Sequence, residues 1–203
     1  RSDVGESWGV AVASTFLAGG AAVSAARAVV GAIATHADAN VAYKRDGLSL
    51  LGQGGTAEQV LAELTDADEG RDERQLGIVD RHGNAASFTG TQCLDWCGGR
   101  TGSGYSMQGN VLAGPHVLDE MEAAWVAFDS LPFTHRLLGA LAAADGVGGD
   151  RRGRQSAALL VVRAGAGYAG RDDVAVDLRV DDHARPIDDL TRLLALNDLY
   201  LTP

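Results

Sequence analysis

The sequence is poor in the residues that mark disulfide-stabilised and metal-binding proteins. Its 203 residues include only two cysteines, Cys93 and Cys97, and aromatic residues make up only 5%. Two cysteines exclude a disulfide framework and supply at most half of a zinc site, and no histidine stands near another in the sequence. We therefore expect reduced thiols in a loop, with no bound metal and no cofactor.

Long apolar runs are also missing. The longest apolar-leaning stretch, residues 11–34, is interrupted by Gly19, Gly20 and Arg27, so no transmembrane helix is predicted. The first residues lack the basic start and apolar centre of a secretory signal. With reduced thiols and no secretory signal, we expect a cytoplasmic protein. The sequence also begins without methionine, so we expect its true start to lie upstream of Arg1.

Basic residues are outnumbered. There are 17 lysines and arginines against 27 acidic residues, which gives a formal net charge of -10. Such a balance repels nucleic acid, and Arg151, Arg152 and Arg154 form the only dense basic cluster. The expected partner is a small-molecule substrate, and neither nucleic acid nor a membrane is expected to bind. The sequence is compatible with a homo-oligomer.

Apolar periodicity predicts one α+β domain over residues 1–203, of which 46% are hydrophobic. Residues 8–13 and 29–34 read as buried strands that pair with each other around the intervening loop. Residues 75–80 and 84–89 read as an antiparallel hairpin with a third strand at 105–108. Further strands are predicted at 156–163 and 174–180. Helices are predicted after the Thr56–Gln59 capping box, along the stripe Val117, Met121, Trp125 and Phe128, from Phe133 to Leu141, and from Pro186.

The order of these elements predicts the architecture. Antiparallel strands that alternate with helical pairs favour two stacked antiparallel sheets between helical layers over a doubly wound parallel sheet. The abundant Ala and Gly residues suit closely packed sheets. We expect a four-layer αββα sandwich in which the Trp125 stripe faces a sheet.

Two polar motifs near predicted strand ends could bind a substrate. The first presents Thr35, His36 and Asn40 in one turn, although such side chains also commonly satisfy turn backbone groups. The second is Arg74-Gln75, which could clamp a carboxylate; the alternative is an ion pair of Arg74 with the neighbouring Asp72 or Glu73.

Two further motifs suit catalysis. Gln108 and Asn110 flank a glycine at a strand end, where amide donors could stabilise an oxyanion; the alternative is an ordinary turn. Residues 148–156 bring Asp150, Arg152 and Gln155 to the start of an apolar strand, or form a solvated basic loop.

These segments, in this order, resemble one bacterial family, the domain of unknown function 1028. The matching blocks include residues 9–14, 74–80, 108–114, 148–158 and 177–183. The family is usually assigned to the N-terminal nucleophile (Ntn) hydrolases. The resemblance implies their fold and their chemistry, amide cleavage by an N-terminal Thr, Ser or Cys whose own α-amine acts as the base. His36 stands where the family often has glutamine.

The start of the sequence departs from the family pattern. Members begin with a short strand directly before the position of Arg1, and Arg1 cannot be a nucleophile. Three accounts stay open: the first strand, and a C-terminal extension, are missing from this sequence; Arg1 is trimmed to expose Ser2; or the protein lacks this activity.

The leading functional hypothesis is a cytoplasmic amidohydrolase acting on a small amide, lactam or peptide-like compound. Gln108 and Asn110 would stabilise the oxyanion, and Asp150, Arg152 and Gln155 would orient nucleophile and substrate. Thr35, His36, Asn40 and Arg74 would bind the substrate. The rival hypotheses are a non-catalytic small-molecule binding protein and a structural or assembly module. All these residues are expected around one pocket at a common sheet edge.

Overall fold

Antiparallel strand pairing organises the chain. The structure, a computed structural model, describes residues 1–2, 6–170 and 172–201. Within these ranges the strands are β1 (Trp8–Ser14), β2 (Ser24–Arg27), β3 (Gly31–Ala37), β4 (Arg74–Asp80), β5 (Ala85–Thr89), β6 (Gly98–Gly102), β7 (Tyr105–Gly109), β8 (Ser156–Val162) and β9 (Val174–Val180). The α-helices of the described residues are α1 (Gly19–Val23), α2 (Ala42–Gly52), α3 (Ala57–Asp66), α4 (His116–Ala127), α5 (Phe133–Gly146) and α6 (Pro186–Leu201).

The described strands form three sheets. One sheet has the order β1-β8-β9, the second has the order β2-β3-β4-β5, and β6 and β7 form a two-stranded hairpin. All neighbouring strands are antiparallel. The predicted α+β class with antiparallel sheets is confirmed.

Two predicted strand pairings are wrong. The strand at residues 8–13 does not pair with the strand that follows it; β1 pairs with β8 along its whole length, from Trp8 opposite Val162 to Ser14 opposite Ser156. The edge of β3 is instead occupied by β2, a short Ala-rich strand with no distinguishing pattern. Likewise, residues 105–108 do not extend the β4-β5 hairpin, because β7 pairs with β6.

The helix predicted from the capping box is present as α3. The Thr56 hydroxyl accepts a hydrogen bond from the Gln59 backbone N–H at 3.3 Å, and the Gln59 side chain accepts one from the Thr56 backbone N–H at 3.0 Å. This reciprocal arrangement satisfies two backbone donors at the start of the helix. A short-range sequence signal therefore sets where α3 begins.

Helices cover one face of each larger sheet. Ile33, Leu76 and Ile78 of the four-stranded sheet pack against Leu51 of α2 and Val60 of α3. The three-stranded sheet packs in the same way against α5 and α6, through Leu159, Val161, Val176, Leu138, Leu190 and Leu194.

The opposite faces of these two sheets meet in a core that combines Trp8 with several alanines. Trp8 and Val10 of β1 contact Ala32 of β3, and the Trp8 indole N–H donates to the carbonyl of Asp80 at 3.1 Å. Asp80 lies opposite Gly31, the first residue of β3. The starts of β1 and β3 therefore lie together, and so do their ends, where Val12 and Ala39 share a cluster.

Helix α4 packs on β7 through the predicted stripe. Trp125 is only 4% exposed and contacts Met107. Its ring centroid lies 5.8 Å from that of Tyr105 and 6.3 Å from that of Phe133. The expectation that Trp125 faces a sheet is confirmed.

None of the helices in the described part of the chain combines the length and the apolar character needed to span a bilayer.

Candidate functional site

Several loops leave the sheets at one common end. His36 of β3 lies opposite Gln75 of β4, which lies opposite Thr89 of β5. The Gln75 side-chain amide also donates to the carbonyl of Gly109, the last residue of β7, at 2.9 Å. The loops that follow β1, β3, β5 and β7 therefore meet at this end of the sheets.

A cavity of about 810 Å³ lies between β1 and β7. Six consecutive residues of β1, Gly9 to Ser14, and all of β7 line it. Because alternate residues of a strand point to opposite faces, consecutive lining residues mean that the strand edges border the cavity. Among the described strands, β1 is bonded to β8 alone and β7 to β6 alone.

The common end forms what we call the mouth of the cavity. It is formed by lining residues at the end of β3, on the loops after β1, β3, β5 and β7, and on the segments before β4 and β8; the mouth residues used below are Phe16, His36, Asp38, Val41, Glu73, Leu94, Asn110, Asp150 and Arg152. Of the nine residues predicted for the site, five line the cavity: His36, Gln108, Asn110, Asp150 and Arg152. Arg1 lines it as well.

Asn110 is held at the mouth by a buried glutamine. Its side-chain Nδ2 donates to Oε1 of Gln75 at 3.0 Å. Gln75 is fully buried, and its own Nε2 donates to Thr89 Oγ1 and to the carbonyls of Gly98 and Gly109. An amide nitrogen carries two hydrogens, so Asn110 keeps a second N–H in a fixed position.

Gln108 is fixed in a similar way deeper in the cavity. Its Nε2 donates to the carbonyl of Ala34 at 2.9 Å, and its amide lies against Gly77 of β4. The space above Gly77 therefore accommodates the Gln108 side chain.

We expect Gly77→Ala to destabilise the protein through this contact. The added methyl group would overlap Gln108 Oε1 and lie 2.9 Å from Ser106 Oγ. Because Gln108 is anchored, the free energy of unfolding should fall by about 1–3 kcal/mol, as measured by urea unfolding. The same substitution should cost clearly less in a Gln108→Ala background; an equal cost in both backgrounds would contradict the contact.

His36 projects from the face of β3 that carries Ala32 and Ala34, which also line the cavity. Burial of the imidazole lowers the pKa of His36 from about 6.5 to about 4. The ring is therefore neutral at physiological pH. It can donate or accept a hydrogen bond to an uncharged ligand, but it is a weak base.

A pH titration should reveal this low pKa. The NMR signals of the His36 ring should stay constant from pH 8 to pH 5 and shift only near pH 4. Because the unfolded chain takes up this proton near pH 6.5 and the folded chain does not, stability should fall as the pH drops through that window. The His36→Gln variant should lose both effects. Titration of His36 near pH 6.5 would show that the imidazole is not buried.

Two Asp-Arg pairs border the cavity near the mouth. The Asp150 carboxylate accepts hydrogen bonds from the Arg152 backbone N–H at 2.9 Å and from Arg152 Nη2 at 2.7 Å. Arg154, which the sequence analysis did not select, pairs with Asp145, and both line the cavity. Each guanidinium is thus neutralised by its own carboxylate.

Four predicted residues lie away from this cavity. Thr35 points to the opposite face of β3 from His36 and is fully buried. Gln155 Nε2 donates to Asp182 Oδ1 at 3.1 Å. Asn40 and Arg74 both bind Asp68, through Asn40 Nδ2 at 2.9 Å and Arg74 Nε at 3.2 Å.

Asp38, Asn40, Asp68 and Arg74 form a group of bonded polar side chains next to the mouth, which we call the Asp68 cluster. Arg74 Nη1 also contacts Asp38 Oδ2 at 2.6 Å, and Asp38 is a mouth residue. The ion pair predicted as the alternative for Arg74 therefore exists, but its partners are Asp38 and Asp68 rather than Asp72 or Glu73. Arg74 acts on the mouth by holding Asp38.

Ser106, Ser14 and Cys93, which line the cavity, are each bonded to the backbone. Ser106 Oγ donates to the carbonyl of Ala86 at 3.0 Å, and Ser14 Oγ accepts the N–H of Phe16 at 3.0 Å. Cys93 Sγ donates to the carbonyl of Arg74 at 3.3 Å, and burial raises the pKa of this thiol. None of these three groups is activated as a nucleophile.

The two cysteines, Cys93 and Cys97, lie between β5 and β6. Cys97 Sγ contacts the carbonyl of Cys93 at 3.4 Å, and both cysteines are free thiols. No group of three His, Cys, Asp or Glu side chains suited to a metal occurs in residues 1–2, 6–170 and 172–201.

Sequence reasoning missed the residues that position the site. Gln75 stands in the Arg74-Gln75 motif, but its role in holding Asn110 was not predicted, and Asp68 stands in the sequence only as one member of an acidic stretch. A lone amide in an apolar strand is the one signal that could have pointed to Gln75, since buried polar side chains need partners.

Comparison with known proteins relates this chain to a protein family and to a solved structure. A family model described as a family of unknown function, DUF1028, matches residues 1–190. The crystal structure of protein SPO2555 from Silicibacter pomeroyi, which carries the same family label, matches with a TM-score of 0.87 and 33% sequence identity. That match covers 97% of this chain and 85% of the other. No curated protein sequence matches.

Proposed function

This chain belongs to the DUF1028 family, and from that premise we propose that it is an Ntn-type amidohydrolase acting on a small amide, lactam or peptide-like substrate. The observation that carries the proposal is the fixed pair of amides, Gln108 and Asn110, on one cavity wall. Each has one N–H bound internally and a second directed by that bond. Such preorganised donors stabilise the oxyanion of acyl transfer.

The arrangement of layers supports the Ntn assignment. Helices α2 and α3 pack on one outer sheet face, α5 and α6 on the other, and the inner faces meet at Trp8 and Ala32. We interpret this as the four-layer αββα sandwich.

The nucleophile in this proposal is an N-terminal Thr, Ser or Cys carried by an extended segment. The facing edges of β1 and β7 could both pair with such a strand, which would place one of its ends at the mouth. There Asn110 would receive the oxyanion, and the Asp150-Arg152 pair would orient the nucleophile and substrate.

One observation favours a non-catalytic binding protein as the second candidate. Cys93, Ser106 and Ser14 are bonded to the backbone, and the neutral His36 is a weak base. Without a separate N-terminal nucleophile, the cavity would bind a small molecule and not cleave it.

The identity of the mature N-terminus separates the two functions. We expect N-terminal sequencing and intact-mass measurement of protein made from its native gene to find Thr, Ser or Cys first, with a free α-amine. A blocked amine, or a first residue without a hydroxyl or thiol, would contradict the hydrolase and leave the binding protein.

A further inference from the structure

Three large apolar side chains are held in solvent at the mouth of the cavity. Phe16, Val41 and Leu94 are 66%, 56% and 65% exposed. They lie on three different loops, after β1, β3 and β5, and all three line the same cavity. A set of exposed apolar side chains that converges on one opening marks a surface that a ligand covers.

The charges beside them indicate that the covering group is uncharged. Arg152 and Arg154 are each paired with a carboxylate, Asp150 and Asp145. Neither guanidinium is left to attract an anionic group. The exposed Glu73 carboxylate at the same mouth would repel one.

The shape of the site indicates a small molecule. The proposed N-terminal strand would fill the part of the cavity between β1 and β7, so the ligand site is the mouth, a concave opening of the kind that small molecules occupy. The three side chains come from separate loops and border this one opening.

We propose that the ligand is an amide with an uncharged apolar acyl group, which contacts Phe16, Val41 and Leu94 while its amide group lies at Asn110. This inference rests on the proposed function for the placement of the amide. The apolar contacts determine which acyl groups are accepted, and Asn110 binds the group common to all of them.

Equilibrium binding of N-acyl glycinamides tests the proposal without turnover. In calorimetric titrations the affinity should rise roughly fourfold for each methylene added from N-acetyl to N-hexanoyl glycinamide. The anionic N-succinyl glycinamide should bind at least about tenfold more weakly than the N-butanoyl compound. Equal affinity across the series, or no binding of any member, would overturn the proposal.

Surface variants locate the acyl group. Phe16→Ser and Leu94→Ser should each reduce the gain in affinity with chain length. The control is Val126→Ser, because Val126 is 62% exposed on α4 and does not line the cavity. In this variant the affinity should rise with chain length as steeply as in the wild type. A chain-length dependence unchanged in both Phe16→Ser and Leu94→Ser would overturn the assignment. N-terminal analysis decides the hydrolase separately, so the two proposals can fail independently.

Discussion

Replacing Asn110 with alanine is expected to slow acylation of the proposed N-terminal nucleophile by about 10²-fold or more, the usual loss for one oxyanion donor. The reason is the hydrogen bond from Asn110 Nδ2 to buried Gln75, which fixes the remaining N–H at the mouth. The rate is measured by mass spectrometry as the protein reacts with a β-lactone, whose carbonyl oxygen becomes the oxyanion.

The matched control for Asn110 is Gln155→Ala. Gln155 is also an amide near a strand end, but it bonds Asp182 and lies off the cavity. Its loss should leave the acylation rate within about twofold of wild type, in keeping with a surface role. Equal rates for Asn110→Ala and wild type would remove Asn110 from the mechanism.

The largest loss of stability is expected for Asp68→Ala. The Asp68 carboxylate accepts hydrogen bonds from Asn40, Tyr43, the Gly70 N–H and Arg74 at 2.7 to 3.2 Å. Removing it leaves the Arg74 guanidinium, whose side chain is 17% exposed, without one of its two carboxylates. The free energy of unfolding should fall by about 3–5 kcal/mol, as for other buried pairs that lose one partner.

Asp66→Ala is the control for Asp68, because its carboxylate also pairs with an arginine but is 78% exposed. An exposed pair contributes at most about 1 kcal/mol. Urea unfolding of the three proteins gives the comparison. Equal losses for Asp66→Ala and Asp68→Ala would show that the Asp68 cluster does not stabilise the fold.

The same cluster should give an acid-dependent stability. Burial alone would raise the pKa of Asp68, but the hydrogen bonds from Asn40, Tyr43, Gly70 and Arg74 outweigh it and hold the pKa well below its usual range. The stabilisation is therefore complete above the unfolded pKa, near 3.8, and is lost as the pH falls below it. The stability gap between wild type and Asp68→Ala should narrow below about pH 4.

Local patterns predicted most elements of the fold. The capping box located α3, the stripe through Trp125 located α4, and the apolar run after Gln155 located β8. Partners of the strands were harder to predict, because pairing depends on contacts between distant segments. Strand β2 and the β6 strand consist largely of Ala and Gly, which give little periodic signal.

The candidate site could be predicted only in part, because it also depends on contacts between distant segments. Strand-end motifs identified Gln108, Asn110 and Asp150, which line the cavity. Asn40 and Arg74 have similar sequence surroundings, yet they converge on Asp68, which lies 28 and 6 residues away from them in the chain. Only the folded arrangement separates residues that face the cavity from residues that hold its walls.

Peptide mapping of the β-lactone adduct tests the central proposal most directly. Protein made from its native gene is allowed to react with the β-lactone, and the acylated residue is identified by tandem mass spectrometry. An Ntn-type amidohydrolase predicts one acyl group, carried by the N-terminal Thr, Ser or Cys. No adduct, or an adduct on an internal side chain such as Cys93, would contradict it.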